Sequence, residues 1–189
     1  MSNPYTVGVI VGSLRKDSFN RRIAKAAMAL APSSLACRFI EIGDLPLYDA
    51  DLETAEPPPA WTAFRQSLHG VQAFLFVTPE FNRSVPGALK NAIDVGSRPY
   101  GKSAWGGKPC AVISVTQGLL GAFGANHHLR QSFVFLDMPV MQQPEAYIGG
   151  VAALFDDKGE LGNAGTRDLL TKFMAAFEQW VNRQLAPLA

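Results

Sequence analysis

The sequence predicts an α/β fold in which a doubly wound parallel sheet of five strands, in the order 2-1-3-4-5, forms the middle of three layers. Short β-branched runs alternate along the chain with stretches that have the apolar spacing of helices. Two of these runs, residues 71–78 and 110–116, are almost continuously apolar, which is typical of strands buried on both faces of a parallel sheet. Right-handed crossovers between such strands place helices on both faces.

The first half of the chain supplies three strands and two helices. Residues 5–11 (YTVGVIV) predict a strand, residues 18–30 a helix, and residues 35–42 (LACRFIEI) a second strand with the polar residues of a sheet edge. Residues 44–59 contain four prolines and predict a long surface loop. A helix over residues 60–68 and the buried strand at 71–78 follow, and Pro79 ends that strand.

The second half repeats the alternation. A helix follows Ser84, which can cap it, and Pro86, which suits its first turn. The strand at 110–116 leads into a glycine-spaced loop and then a helix. We place the loop at 118–124, the helix at 126–136, the start of a short last strand at 139–141 and a closing amphipathic helix at 166–185. We expect a single domain, residues 1–189.

The charge balance excludes several function classes. Seventeen Lys and Arg residues against 16 Asp and Glu give a formal charge of +1, so no broad field attracts nucleic acid or an anionic membrane. No apolar stretch approaches the roughly 18 residues that span a bilayer, and the N-terminus lacks the pattern of a signal peptide. We expect a cytoplasmic protein that binds small molecules.

Neither the cysteines nor the histidines have the spacing of a disulfide framework or a metal site. Cys37 and Cys110 lie far apart in apolar runs and are interpreted as small core residues. His69 stands alone, and no metal is expected. For His127 and His128 we expect a helix cap or a subunit contact rather than acid–base chemistry, because no partner carboxylate is evident.

The predicted topology places a ligand beyond the first and third strands, at the loops over residues 12–20 and 79–84. The first loop, GSLRKDSFN, combines hydroxyls, an amide and a guanidinium with a helix N-terminus, and these groups suit a phosphate. Because the GxGxxG and Walker patterns are absent, we expect a mononucleotide rather than a pyrophosphate. The alternative is a solvated loop in which Ser18 only caps the helix.

Two motifs resemble those of the NADPH-dependent FMN reductases, which are flavodoxin-like proteins. GSLRKDSFN at residues 12–20 is similar to the family's phosphate loop, and TPEFNRSVPGALKNAID at residues 78–94 to its flavin-ring loop. The resemblance runs from about residue 5 to residue 149. It is closest to the bacterial quinone and chromate reductases, as residues 45–51 and 128–137 indicate. Family members commonly carry a glycine and an arginine where this chain has Ala122 and Gly124.

The resemblance implies FMN as the cofactor and NADPH or NADH as the hydride donor. The first loop would hold the FMN phosphate, residues 79–82 would line the isoalloxazine edge, and the loop at 116–124 would close over the flavin from the far side. An ordinary turn is the alternative for residues 79–82. The predicted cofactor-binding residues are Gly12, Ser13, Leu14, Arg15, Ser18, Phe19, Asn20, Pro79, Glu80, Phe81, Asn82, Thr116, Gln117 and Gly118.

The implied activity is an FMN-dependent NAD(P)H oxidoreductase that reduces quinones, free flavin or oxyanions such as chromate in a ping-pong cycle of hydride transfer. Flavin N5 carries this chemistry, so no side chain is predicted to be catalytic. Arg15 and Arg83 are candidates for contacting anionic substrates, and Glu80 is either structural or tunes the ring.

The resemblance also implies a homodimer or homotetramer, with Phe133, Phe135 and Leu136 as candidate contact residues. One alternative function is a flavodoxin-type electron carrier that does not use nicotinamide. The formal charge of +1 argues against it, since such carriers dock through strongly charged surfaces. A non-enzymatic flavin-binding module is a second alternative.

Overall fold

The computed structural model describes residues 3–186, which form a five-stranded parallel sheet between two layers of helices. The strands are β1 (Tyr5–Val11), β2 (Leu35–Phe39), β3 (Ala73–Thr78), β4 (Cys110–Val115) and β5 (Ala146–Ile148), in the order β2-β1-β3-β4-β5. The α-helices are α1 (Phe19–Ala29), α2 (Pro59–His69), α3 (Gly87–Gly96), α4 (Phe123–Phe135) and α5 (Ala164–Leu185). The predicted fold class and strand order are confirmed.

The two faces of β1 belong to separate hydrophobic cores. Val7 and Val9 pack with α1 and α5 on one face, whereas Ile10 packs with α2, α3 and α4 on the other. The separation follows from the alternation of side chains along a strand. Consequently α1 leaves the end of β1 toward one layer, and α3 leaves the neighbouring β3 toward the opposite layer.

The predicted position of the last strand was wrong. Residues 139–141 form only an isolated bridge between Val140 and Cys110, and β5 begins at Ala146. Pro139 and Pro144 have no N–H, so this segment cannot donate a continuous ladder of hydrogen bonds to β4.

Several other boundaries, and one helix cap, also differ from the prediction. β2 ends at Phe39 instead of residue 42, although Ile40 N still donates to Val9 O over 2.9 Å. α4 begins at Phe123 rather than at residue 126. Ser84 does not cap α3, whose N-cap is Pro86, and the Ser84 hydroxyl instead lies 2.9 Å from His128 Nδ1.

The cysteines and the α4 aromatics are positioned by the cores. Both thiols are free, with Cys110 fully buried and Cys37 half-buried, and burial raises the pKa of Cys37 to about 11. Phe133 and Leu136 are buried, which corrects their assignment as contacts between subunits. Phe135 is 84% exposed and is the one member of that set at the surface of the described residues.

No helix within residues 3–186 is long and apolar enough to cross a membrane.

A buried amide fixes the long proline-rich loop. Asn91, on α3, accepts a hydrogen bond from Tyr48 N over 2.8 Å and donates to Pro46 O over 3.0 Å. Pro46 O also accepts from Trp61 Nε1 on α2, over 3.0 Å. The loop, which includes a short 3₁₀ helix at Ala50–Leu52, is thereby attached to both helices.

Replacing Asn91 by Ala is expected to lower the free energy of unfolding by about 2 kcal/mol, because a buried N–H and carbonyl oxygens lose their partner. Urea denaturation measures this change. Asn182→Ala, at an exposed position of α5, is the matched control and should change stability by less than about 0.5 kcal/mol. Equal stability of the two variants would show that the amide does not anchor the loop.

Candidate active site

A cleft opens at the carboxyl ends of β1, β3 and β4. Because α1 and α3 diverge to opposite layers, the loops that precede them separate and leave a crevice at this point of the sheet. Most of the residues predicted to bind a cofactor meet there. The cleft is lined by Ser13, Arg15, Ser18, Phe19, Asn20, Pro79, Glu80, Phe81, Val115, Thr116, Gln117 and Val151.

The N-terminus of α1 forms the polar end of the cleft. Ser18 is the N-cap, and its Oγ accepts from Arg21 N over 3.3 Å, which leaves the hydroxyl proton free to donate elsewhere. The Phe19 and Asn20 N–H groups belong to the first turn, where a helix has no internal acceptors and a positive dipole end. Capping of the helix and binding of an anion are therefore compatible roles for Ser18.

Asn20 supplies an observation that points to a ligand. Its side chain is only 6% exposed, and its Oδ1 is buried without a hydrogen-bond partner among residues 3–186. Buried polar atoms in this state are rare, because leaving one unpaired costs free energy. A ligand hydroxyl in the cleft would donate to this oxygen, and the amide NH₂ of Asn20 can donate to a phosphate. The residues present therefore fit the phosphate end of the expected FMN together with the hydroxyl-bearing chain beside it.

Gly12 has a packing role. A Cβ atom there would lie 3.0 Å from Thr78 Oγ1 and 3.0 Å from Leu89 Cδ2, so glycine lets the end of β1 approach β3 and α3. The Gly12 N–H donates to Val77 O over 2.8 Å and is not available to a phosphate. Leu14, which the sequence also assigned to the cofactor, is exposed and does not line the cleft.

The loop after β3 closes in a tight turn with a strained backbone. Phe81 N donates to Ser84 O over 3.0 Å, and Ser84 N donates to Phe81 O over 2.9 Å. The two residues between them, Asn82 and Arg83, have φ values of 50° and 65°, a left-handed conformation that costs free energy in residues other than glycine. Both lie outside the cleft lining, and the Arg83 side chain is 77% exposed.

Glu80 attaches this loop to α4. Its Oε2 accepts from Ala125 N over 3.1 Å and so caps a helix that has no capping side chain of its own. A Cβ atom on Gly124 would lie 2.7 Å from Arg83 O and 3.0 Å from Glu80 Oε2. The absence of a side chain at Gly124 therefore allows the close contact, and the capping bond favours the structural role for Glu80.

The loop after β4 is paired with the segment that follows β5. Thr116 N donates to Ile148 O over 2.9 Å, and Val151 N donates to Thr116 O over 3.2 Å. A Cβ atom on Gly149 would lie 2.6 Å from Leu119 O, so glycine is required at that contact. Val151, a cleft residue that the sequence analysis missed, is positioned by this pairing; the Gly149-Gly150 pair just before it was the available signal.

Large apolar side chains are exposed on the chain segments that carry the cleft residues and at the start of α4. A ligand that covers such side chains removes apolar area from water, which favours binding. The residues are Leu14, Phe81, Leu119, Leu120 and Phe123, each more than half exposed.

The two adjacent histidines have hydrogen-bond partners that the sequence did not reveal. His127 Nε2 lies 3.1 Å from the Tyr147 hydroxyl, which donates to Glu145 Oε1 over 2.7 Å. Burial and the bond to Glu145 raise the pKa of Tyr147 to about 12. His127 thus reaches a carboxylate only through the Tyr147 hydroxyl, and none of the three residues lines the cleft.

Comparisons with known proteins agree with this geometry. The family model described as NADPH-dependent FMN reductase matches residues 5–153. A quinone reductase of Pseudomonas putida is 64% identical over 181 residues, which are 96% of this chain and 97% of that protein. A 2-hydroxy-1,4-benzoquinone reductase of Burkholderia sp is 45% identical and covers 93% of this chain and 95% of its own length. The solved structure of FerB, a flavoenzyme NAD(P)H:(acceptor) oxidoreductase from Paracoccus denitrificans, has a TM-score of 0.89 and 39% identity, covering 95% of this chain and 98% of that one.

Gly124→Ala is expected to lower the free energy of unfolding by about 2 kcal/mol, because the new methyl group collides with the Arg83 backbone. Gly87→Ala is the matched control. Its Cβ would have nothing within 4 Å and its φ is not positive, so its stability should equal that of wild type or exceed it by up to about 1 kcal/mol. Urea denaturation compares them, and a Gly124→Ala protein as stable as the control would rule out close packing of α4 on the loop.

Proposed function

We propose that this chain, which belongs to the NADPH-dependent FMN reductase family, transfers reducing equivalents from NAD(P)H to a quinone in the cleft at the ends of β1, β3 and β4. The chain is an oxidoreductase with FMN as its cofactor and NAD(P)H as its donor. A quinone is proposed as the acceptor because relatives at 64% and 45% identity carry the names quinone reductase and 2-hydroxy-1,4-benzoquinone reductase. Free flavin and oxyanions such as chromate are proposed as further acceptors.

The observation that carries the cofactor assignment is the unpartnered buried amide oxygen of Asn20 at the N-terminus of α1, which needs a hydrogen-bond donor such as a hydroxyl of the cofactor. In the proposal the first-turn N–H groups, the Ser13 and Ser18 hydroxyls and the Arg15 guanidinium hold the FMN phosphate. A phosphate monoester carries close to two negative charges near neutral pH, and this set offers neutral donors, a helix dipole and one fixed positive charge. Asn20 then bonds the adjoining polar part of the cofactor.

The loop after β3 is proposed to position the flavin ring. Pro79 and Phe81 offer it apolar surface, while the bond between Glu80 and Ala125 holds their backbone against α4. When bound, FMN would supply the redox chemistry, since its N5 would take a hydride from NAD(P)H and then transfer it to the acceptor in a ping-pong cycle. The protein's own task is to bind and orient the reactants, so no side chain is assigned as an acid or a nucleophile.

The exposed apolar side chains beside the cleft are proposed to contact NAD(P)H and the acceptor in turn. Leu119 and Leu120 are 93% and 63% exposed, which leaves apolar surface for a planar molecule to cover. Arg15 lines the cleft, where the proposal assigns its charge to the FMN phosphate, whereas Arg83 is exposed on the turn and lies outside the lining. Neither arginine is therefore assigned as a substrate contact.

Asn20→Asp is expected to weaken FMN binding about 100-fold or more, because it places a carboxylate beside the phosphate. A carboxylate in the first turn of a helix interacts favourably with the helix dipole, so the variant should fold. Quenching of flavin fluorescence measures the dissociation constant. Asn182→Asp adds the same charge to the distant exposed face of α5 and should bind FMN like wild type. Equal weakening of FMN binding in both variants would show that the phosphate does not bind at the α1 N-terminus.

Steady-state oxidation of NADPH and NADH by the FMN-loaded protein tests the activity, with benzoquinone, free FMN and chromate as separate acceptors. We expect turnover with benzoquinone and parallel lines in double-reciprocal plots, as a ping-pong cycle requires. A protein that binds FMN and yet reduces none of the acceptors with either nucleotide would contradict the proposal and favour an electron carrier.

A further inference from the structure

A second and larger concavity lies beside the cleft, on the opposite side of Ser18. It has a volume of about 750 Å³, which is within the range of small-molecule sites, and runs along α1 to the segment that precedes α5. We call it the α1 groove. Ser18 lines both the cleft and the α1 groove, and Lys16 and Asp17 lie in the same loop at the junction. The two spaces are therefore adjacent parts of one surface.

The α1 groove concentrates positive charge in a chain that is almost neutral overall. Its cationic residues are Lys16, Arg21, Arg22, Lys25, Lys158 and Arg167, and its carboxylates are Asp17 and Glu160. The formal charge of the whole chain is only +1, so this concentration is local. A concave surface lined by one sign of charge focuses its field and attracts ions of the opposite sign.

Three of these cations have structural partners. Arg21 pairs with Glu41 over 2.6 Å, and Arg167 donates to Leu161 O over 2.9 Å. The Arg22 guanidinium lies 4.1 Å from the centre of the Phe155 ring. Within residues 3–186, Lys16, Lys25 and Lys158 form no ion pair, so the α1 groove presents three unpaired ammonium groups to a ligand. Asp17 and Glu160 offset part of this charge and leave the α1 groove with a net positive charge.

The wall of the α1 groove is aromatic as well as cationic. The rings of Phe19 and Phe155 are stacked with centroids 6.0 Å apart, and Phe155 lines the groove beside Arg22. The hairpin that carries Phe155 is held by a bridge to Leu161. A flat base can stack against an aromatic ring or a guanidinium plane, while lysines meet an anion as point charges.

We propose that the α1 groove binds the adenosine 2′-phosphate end of NADPH and so makes this chain prefer NADPH to NADH. The proposal rests on the function proposed above. A 2′-phosphate is a monoester, close to a dianion near neutral pH, and it is the group that NADH lacks. The α1 groove offers it Lys16, Lys25 and Lys158, offers the adenine the Arg22 guanidinium that lies over Phe155, and joins the cleft at Ser18.

The double variant Lys25→Gln/Lys158→Gln tests this assignment. Both side chains are exposed and have no ion pair in the described part of the chain, so folding should be unaffected. We expect the KM for NADPH to rise roughly tenfold relative to the KM for NADH, because two charge-assisted contacts are lost. The control variant Lys90→Gln/Lys172→Gln removes two equal charges that pair with Asp94 and Asp168 outside the α1 groove, and should leave both KM values unchanged.

Calorimetry on the FMN-loaded protein provides a readout that does not need turnover. We expect 2′,5′-ADP to bind at least about tenfold more tightly than 5′-AMP, and the groove variant to lose this difference. Equal binding of the two nucleotides, equally strong competition by inorganic phosphate, or equal rises in KM for NADPH and NADH would overturn the proposal. Failure of the reductase activity alone would leave the calorimetric result intact, so the two proposals can fail separately.

Discussion

The site depends on one topological constraint, namely that two neighbouring parallel strands send their helices to opposite faces of the sheet. β1 pairs with β3 through Val9 and Leu75, so their ends are fixed side by side. The helix after β1 packs with α5, and the helix after β3 packs with α2 and α4. The loops between strand and helix must therefore part, and the crevice they leave brings a helix N-terminus and the turn after β3 to one place.

The rigidity of that crevice comes from contacts across the loops. The turn at Asn82 and Arg83 is held in a conformation that is unfavourable by itself, with positive φ at both residues. The free-energy cost of this conformation is offset by the Glu80 bond to Ala125 and by the close packing that Gly124 allows. Strain in the turn and capping of α4 are thus parts of one arrangement, which fixes the proposed flavin-ring loop before any ligand binds.

Periodicity and motif position predicted the strand order, and they predicted that Ser13, Arg15, Ser18 and Asn20 lie together, as they do in the cleft. These features are local in sequence, and the strand order brings the loops that contain them together. Contacts between loops could not be predicted in the same way. The Glu80 cap begins α4 three residues earlier than its apolar spacing indicates, and the pairing of Val151 with Thr116 joins residues 35 positions apart. The last strand was misplaced because apolar residues near Pro139 resemble a strand, whereas prolines prevent a full ladder.

The central claim is that the N-terminus of α1 holds a phosphate of the bound flavin. The most direct measurement compares the dissociation constants of FMN and riboflavin for the flavin-free protein, because riboflavin has the same ring and ribityl chain without the phosphate. Several charge-assisted bonds at about 1.5 kcal/mol or more each predict that FMN binds at least about 100-fold more tightly. Equal affinities would contradict the claim, since the α1 N-terminus would then contribute nothing to binding.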